Sequence, residues 1–343
     1  MTPTLTARTV WFERPGVASV RHEPLREPGP GEVRVRASCS GVSAGTERLV
    51  LLGRVPAASR GIMALPTMRG GFELPVAYGY ATVGVVDAVG RVDAAASAAA
   101  TRAVGERVFA LHPHQDLLVV PEGALRPLPA GPPSERLVLA ANLETAINVV
   151  WDAEVGLGDR VVVAGLGVVG LLVAWLARRA GAAAVLGIDC DPSRAALARE
   201  LGATATATSA SAGVVDIEGA DVLVEASGAP ALLAALVASA GPEARVVVAS
   251  WYGDAEVALP LGGHFHPHRV TLRSSQVAGI DARRRARWTP ARRWALAAEL
   301  LHDGVLDCLI APSTPLSEAP ALYDELARGV PWCPPQRVLD ARR

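Results

Sequence analysis

The chain has 343 residues, half of them hydrophobic, which is enough for two domains with separate cores. A formal net charge of −1 provides no global field for nucleic acid or an anionic membrane, and neither is expected as a partner. Lysine is absent throughout, which excludes Schiff-base chemistry on lysine and any mechanism built on a Tyr–Lys couple.

In chain order, residues 1–125 read as β-rich. Val33 to Arg36 alternates as a strand does, and Ala81 to Val89 is a second strand region. Pro and Gly punctuate both, and the alanine-rich stretch Val92 to Val104 reads as a loop. A helical pattern runs from Ser134, the expected N-cap, to Trp151. Strands at 161–163, 185–188, 222–225, 245–249 and 270–277 then follow, with helices at 168–180, 192–201 and 230–240 between the first of them. That alternation predicts an α/β fold, a doubly wound parallel sheet with helices on both faces. The arginine run at 283–287 reads as a solvated helix face that is also able to attract an anionic substrate, and 289–301 as a helix. The uncharged run Val161 to Ala177 is short for a membrane span and holds three glycines in turn spacing, so it reads as strand, turn and helix. Cys39, Cys190, Cys308 and Cys333 form no Cys-x-x-Cys pair, so neither a zinc ribbon nor a redox dithiol is signalled. Few cysteines and no signal-peptide pattern predict a cytoplasmic protein.

The richest stretch is 161–191. Gly165, Gly167 and Gly170 have the Gly-x-Gly-x-x-Gly spacing directly after a valine strand. The first glycine permits a tight turn, the second lets backbone approach a pyrophosphate, and the third lets helix pack on strand. The helix start, with Val168 and Val169, offers unpaired N–H groups and a positive dipole end to phosphate. Asp189 ends the next strand, 24 residues after Gly165, where a carboxylate accepts from ribose hydroxyls. The cofactor expected is therefore NAD(H), with NADP(H) the alternative because Arg194 lies nearby in sequence.

A β-rich N-terminal part, a glycine-turn α/β unit and a return tail resemble the medium-chain dehydrogenase/reductase superfamily over nearly the whole chain. Gly105-Glu-Arg-Val and Gly158-Asp-Arg-Val resemble its Gly-Asp-Arg-Val turns. Ser40 to Glu47, Tyr78-Gly-Tyr, Pro113-His-Gln-Asp, Glu144-Thr-Ala, Ser250-Trp-Tyr-Gly-Asp and Arg273-Ser-Ser-Gln-Val resemble a zinc-type alcohol dehydrogenase branch related to bacteriochlorophyllide dehydrogenase. The resemblance implies a GroES-like catalytic domain at 1–142 and 281–343, and a Rossmann domain at 143–280. It also implies a homodimer paired through the 270–277 strand.

The departures from that family concern metal. The family cysteine falls at Ser43 or Ala44, its histidine ligand at Tyr80, and its third ligand at about Ala141. The four-cysteine structural zinc loop is missing as well, so no zinc is expected. His112, His114 and Asp116 alternate, as do His264, His266 and His268, and either group is a weaker metal candidate. Without zinc, a forming alkoxide needs hydrogen-bond donors. Tyr80, Ser43 and Thr46 are the candidates, with His114 as proton relay. Thr145 and Ser227 join the cofactor candidates, and Glu144, Trp251, Tyr252 and Gln276 are the substrate candidates. The expected activity is zinc-independent hydride transfer between NAD(P)(H) and the carbonyl or secondary alcohol of a small molecule, cyclic secondary metabolites included. The rivals are an enoyl or quinone reductase acting on activated C=C bonds, and a nucleotide-binding protein with a structural or regulatory role.

Overall fold

The computed structural model describes residues 5–90, 102–208 and 219–343. Its elements, in order, begin with strands β1 (Leu5–Arg14), β2 (Val17–Leu25) and β3 (Glu32–Val42), then helices α1 (Ala44–Leu51) and α2 (Arg60–Met63). Strands β4 (Arg69–Gly70), β5 (Val76–Ala77), β6 (Thr82–Val89), β7 (Arg107–Ala110), β8 (Leu117–Pro121) and β9 (Leu125–Pro127) follow, then α3 (Ser134–Leu137) and α4 (Ala140–Asp152). The alternating part is β10 (Arg160–Ala164), α5 (Val168–Arg179), β11 (Ala184–Asp189), α6 (Pro192–Glu200), β12 (Ala205–Thr208), β13 (Val222–Glu225), α7 (Pro230–Ser239), β14 (Arg245–Val248) and β15 (Thr271–Ser274). The chain closes with α8 (Pro290–Leu300), β16 (Thr314–Pro315), α9 (Ala319–Arg328) and β17 (Arg337–Asp340).

These elements form two compact units. The first comprises residues 1–139, 310–332 and 336–343 and is β-rich. It holds a sheet ordered β2-β1-β5-β4 and another ordered β16-β17-β3-β6-β7-β9, with β8 paired to β3. β3 is the organising strand, antiparallel to β6, β8 and β17. Its inward valines Val33 and Val35 pack with Val86, Val108, Leu118 and Val120.

The second unit comprises residues 140–309 and 333–335. Its sheet is parallel, in the order β12-β11-β10-β13-β14-β15. This is the Rossmann order, in which the sequence of strands reverses beside the first one. Val161, Val162 and Val163 of β10 are buried on both faces, as a central parallel strand must be. Thus the α/β expectation holds, with β12 and β15 the edge strands among the described residues.

Several local expectations differ from the structure. The helix expected at 134–151 is broken into α3 and α4 by a tight turn in which Leu139 N–H donates to Arg136. Pro133, not Ser134, is the N-cap. The strand expected at 270–277 stops at Ser274, because the Gln276 side chain accepts from Ala278 N–H and turns the chain. The boundary expected at 281 lies instead after Leu309. Residues 281–309 belong to the second unit: Arg293 of α8 contacts Glu144 and Asn148 of α4, and Trp288, just before α8, has its ring centroid 4.6 Å from that of Trp151. The arginine run forms turns rather than a helix face, with Arg283 paired to Asp281 and Glu154. The loop expected at 92–104 lies, as far as residue 101, outside the described residues. Among the described residues no helix is long and apolar enough to cross a membrane.

Neither histidine group lies on a strand. His264 and His268 are joined by a turn in which His268 N–H donates to the His264 carbonyl, with rings 4.8 Å apart edge to face. His112 is buried and donates from Nδ1 to the Pro113 carbonyl, while Asp116 pairs with Arg8. Burial lowers the His112 pKa to about 4. The unfolded chain should titrate near about 6.5. A depressed folded value gives a contribution that is complete above about pH 6.5 and is lost as the pH falls toward 4. Asn at position 112 keeps a donor for Pro113 and removes the titration. Denaturant unfolding at pH 7 and pH 5 should show the parent losing roughly 2 kcal/mol more than His112→Asn; equal losses would contradict this.

Candidate active site

The first unit carries a buried polar cluster. Ser43 is the N-cap of α1, and Glu47 lies in its first turn, with no exposure. Glu47 Oε1 accepts from the Ser43 N–H at 2.8 Å. Its Oε2 accepts from the Tyr323 hydroxyl of α9 and faces His114 Nε2 at 3.0 Å. His114 Nδ1 lies 2.6 Å from Ser40 Oγ on β3. His114 is itself fully buried, held by backbone bonds to Tyr78 and Val10. Gly79 makes room for it: with φ +132°, a Cβ there would stand 2.7 Å from the imidazole.

Tyr80 follows directly. Its hydroxyl donates to Ser43 Oγ, and Thr46 also hydrogen-bonds the phenol. Burial raises the Tyr80 pKa to about 12, with the Glu47 charge adding to the rise and the Ser43 and Thr46 bonds opposing it. The phenol therefore keeps its proton at neutral pH and is able to donate it in a hydrogen bond. Tyr80, Ser43 and Thr46 lie together, while His114 contacts Glu47 and Ser40 instead.

In the second unit the three glycines have distinct surroundings. Gly165 has φ +95°, and a Cβ there would meet the Ser227 backbone at 2.5 Å. Gly170 approaches the Gly165 carbonyl so closely that a Cβ would stand 1.8 Å from it. Gly167 has nothing within 4 Å of its Cβ position. It is the N-cap of α5 and no side chain caps that helix, so the first N–H groups, those of Val168 and Val169, have no capping side chain. This is the arrangement that receives a pyrophosphate. Asp189 ends β11 and is 7% exposed. Its Oδ2 accepts from Leu166 N–H at 2.7 Å and its Oδ1 from Asp191 N–H at 2.9 Å. Arg194 lies 3.6 Å from its carboxylate. The residues present thus fit a dinucleotide.

The other candidates fall elsewhere in this unit. Ser227 donates to Glu225 through both N–H and hydroxyl, at 2.7 and 2.6 Å. Tyr252 donates to the other Glu225 oxygen at 2.8 Å, while Trp251 is partly buried. Thr145 donates to Ala141 within α4. Glu144 is buried and paired with Arg293 at 3.2 Å. Gln276 is exposed, its side chain engaged by Ala278. Glu47, Tyr323 and Glu225 escaped the sequence reading. Glu47 had a signal, as the last residue of the Ser40–Glu47 match; Tyr323 had none, since its contact spans 276 positions.

The donor set does not fit a zinc ion. The residues that the family resemblance puts at the ligand positions, Ser43 or Ala44, Tyr80 and about Ala141, supply no imidazole, thiolate or carboxylate. Among the described residues no group of three His, Cys, Asp or Glu is placed to hold a metal.

Comparison with known proteins gives the lineage. The zinc-binding dehydrogenase family profile matches residues 168–297. D-guloside 3-dehydrogenase of Escherichia coli K12 is 31% identical over 236 residues, covering 64% of this chain and 67% of the relative. (R,R)-butanediol dehydrogenase of Bacillus subtilis is 28% identical over 208 residues, covering 52% of this chain and 58% of the relative. Solved structures share the fold at low identity. A Sinorhizobium meliloti 1021 protein described as a zinc-binding dehydrogenase bound to NADP superposes with TM-score 0.76 at 22% identity, over 98% of this chain and 99% of that one. An Escherichia coli CFT073 alcohol dehydrogenase complexed with NADH gives 0.72 at 18% identity, over 98% and 99%. The chain belongs to the zinc-binding dehydrogenase family, within the medium-chain dehydrogenase/reductase superfamily.

Proposed function

We propose that this chain is a zinc-independent oxidoreductase acting between a nicotinamide dinucleotide and the carbonyl or secondary alcohol of a small molecule. The observation that carries the reading is the Tyr80 hydroxyl, hydrogen-bonded to Ser43 at the position where the family resemblance puts a metal ligand. Bound at the glycine turn, the dinucleotide supplies or accepts the hydride.

The chain's own residues do the rest. Val168 and Val169 N–H groups bind the pyrophosphate. Asp189 accepts from the ribose 2′-hydroxyl and repels a 2′-phosphate, which favours NAD(H). Tyr80 turns its single hydroxyl proton from Ser43 Oγ to the substrate oxygen as negative charge develops there, and the Ser43 hydroxyl then donates to the phenol oxygen, the work a metal does elsewhere in the family. Ser43 and Thr46 hold the phenol, and His114 buttresses Glu47 behind them. The relatives' names put a guloside and butanediol first among substrates to assay.

Tyr80→Phe keeps the ring and removes only the donor. It should lower kcat by about 100- to 1000-fold. A variant within about threefold of the parent, roughly 0.7 kcal/mol, would leave Tyr80 as packing. Assays on paired ketone and enone substrates should give the alcohol as product, which separates this reading from C=C reduction.

Gly167→Ala tests the dinucleotide cradle without disturbing the fold, since its φ of −69° suits alanine and its Cβ meets nothing. Fluorescence titration should show the variant unfolding like the parent yet binding NADH at least about tenfold more weakly, because a methyl group occupies the phosphate approach. In the same titration the parent should bind NADH more tightly than NADPH; the reverse order would refute the role given to Asp189.

A further inference from the structure

Glu47 joins segments remote in sequence. Its carboxylate contacts Ser43 at the start of α1, His114 between β7 and β8, and Tyr323 on α9. His114 extends the contact to Ser40 of β3. A carboxylate without solvent is tolerated only when its oxygens are met by donors, so these partners fix its position from several sides.

Among the described residues the Glu47 carboxylate reaches Tyr80 through Ser43, while Thr46 bonds the phenol directly. The Ser43 N–H is held by Glu47, and the Ser43 hydroxyl receives Tyr80. His114 does not hydrogen-bond Tyr80; its two ring nitrogens are taken by Glu47 and Ser40. A proton moving from His114 toward Tyr80 would have to cross the Ser43 backbone amide, which does not titrate near neutrality. The connection transmits position rather than protons.

We propose that Glu47 is a positioning residue: it fixes Ser43, and through Ser43 it fixes the place of the Tyr80 hydroxyl. This rests on the reading of Tyr80 as the donor to the reacting oxygen. His114 and Tyr323 clamp Glu47. A displacement of about 1 Å in a reacting group is enough to lower a rate about 100-fold, so a residue remote from substrate acts strongly by this route.

The test is a double-mutant cycle on kcat and KM with Glu47→Gln, Tyr80→Phe and the double variant. Glu47→Gln should lower kcat by about 10- to 100-fold while substrate KM and NADH affinity stay within about threefold. In the Tyr80→Phe background the same change should alter kcat by less than about threefold, because the group it positions is gone. An equal loss in both backgrounds would overturn the proposal, leaving the Tyr80 reading intact. A silent Tyr80→Phe would overturn that reading itself, whatever Glu47→Gln does. If Glu47→Gln does not fold, Ser43→Ala replaces it: it leaves the buried carboxylate and its partners in place and cuts the link. It should reproduce the loss in the parent and not in Tyr80→Phe, and a silent Ser43→Ala would overturn the proposal.

Discussion

A carboxylate cut off from water must be met by donors on every side, and the first unit is arranged around that demand at Glu47. Meeting it brings together α1, β3, the 111–116 segment and α9, which are far apart in sequence. Gly79 is part of the same solution, since any side chain there would displace the imidazole that faces the carboxylate. The hydroxyls of Ser43 and Tyr80 sit at the edge of this arrangement, where Tyr80 is only partly buried. Removing one partner of such a group strands a buried charge and costs more than a surface pair would. Rigidity behind and access in front are what a hydrogen-bond donor to a developing alkoxide needs.

The nucleotide unit answers a different constraint, that of backbone approach. The turn from β10 into α5 can pass the 226–227 segment only because Gly165 and Gly170 have no side chains. Gly167 differs in kind, for the space beside it is empty and its φ is ordinary. Packing explains two of the three glycines; for the third, the reading proposed above is the approach of a dinucleotide phosphate. Asp189 does double work: it accepts from the Leu166 N–H of the turn and marks the end of the ribose-side strand. Arg194 beside it moderates the negative charge at that end.

The second unit was legible in the sequence because its signals are local. Valine runs, glycine spacing and a carboxylate at a strand end all lie within about 30 residues, and parallel strands buried on both faces read as continuous apolar runs. The donor cluster was partly legible: Tyr80, Ser43 and Thr46 were reached through a family resemblance and do lie together. His114 was reached too, but its buried position against Glu47 was not, because nothing local distinguishes it from His112. Alternating histidines suggested strand faces, and prolines at 113 and 267 prevented them. The limit of the nucleotide unit was misplaced because α8 is held there by an arginine–glutamate pair and a tryptophan pair. These are tertiary contacts, which periodicity does not encode.

The central claim is that hydroxyl groups have taken over the work of a metal in a family named for binding one. It rests on what the side chains at positions 43 or 44, 80 and about 141, matched through the family resemblance, are able to ligate. The most direct measurement is the metal content of active enzyme purified without added metal, together with turnover before and after a strong chelator. The account predicts well under one zinc per chain and unchanged turnover. Stoichiometric zinc whose removal abolishes turnover and whose return restores it would contradict the account.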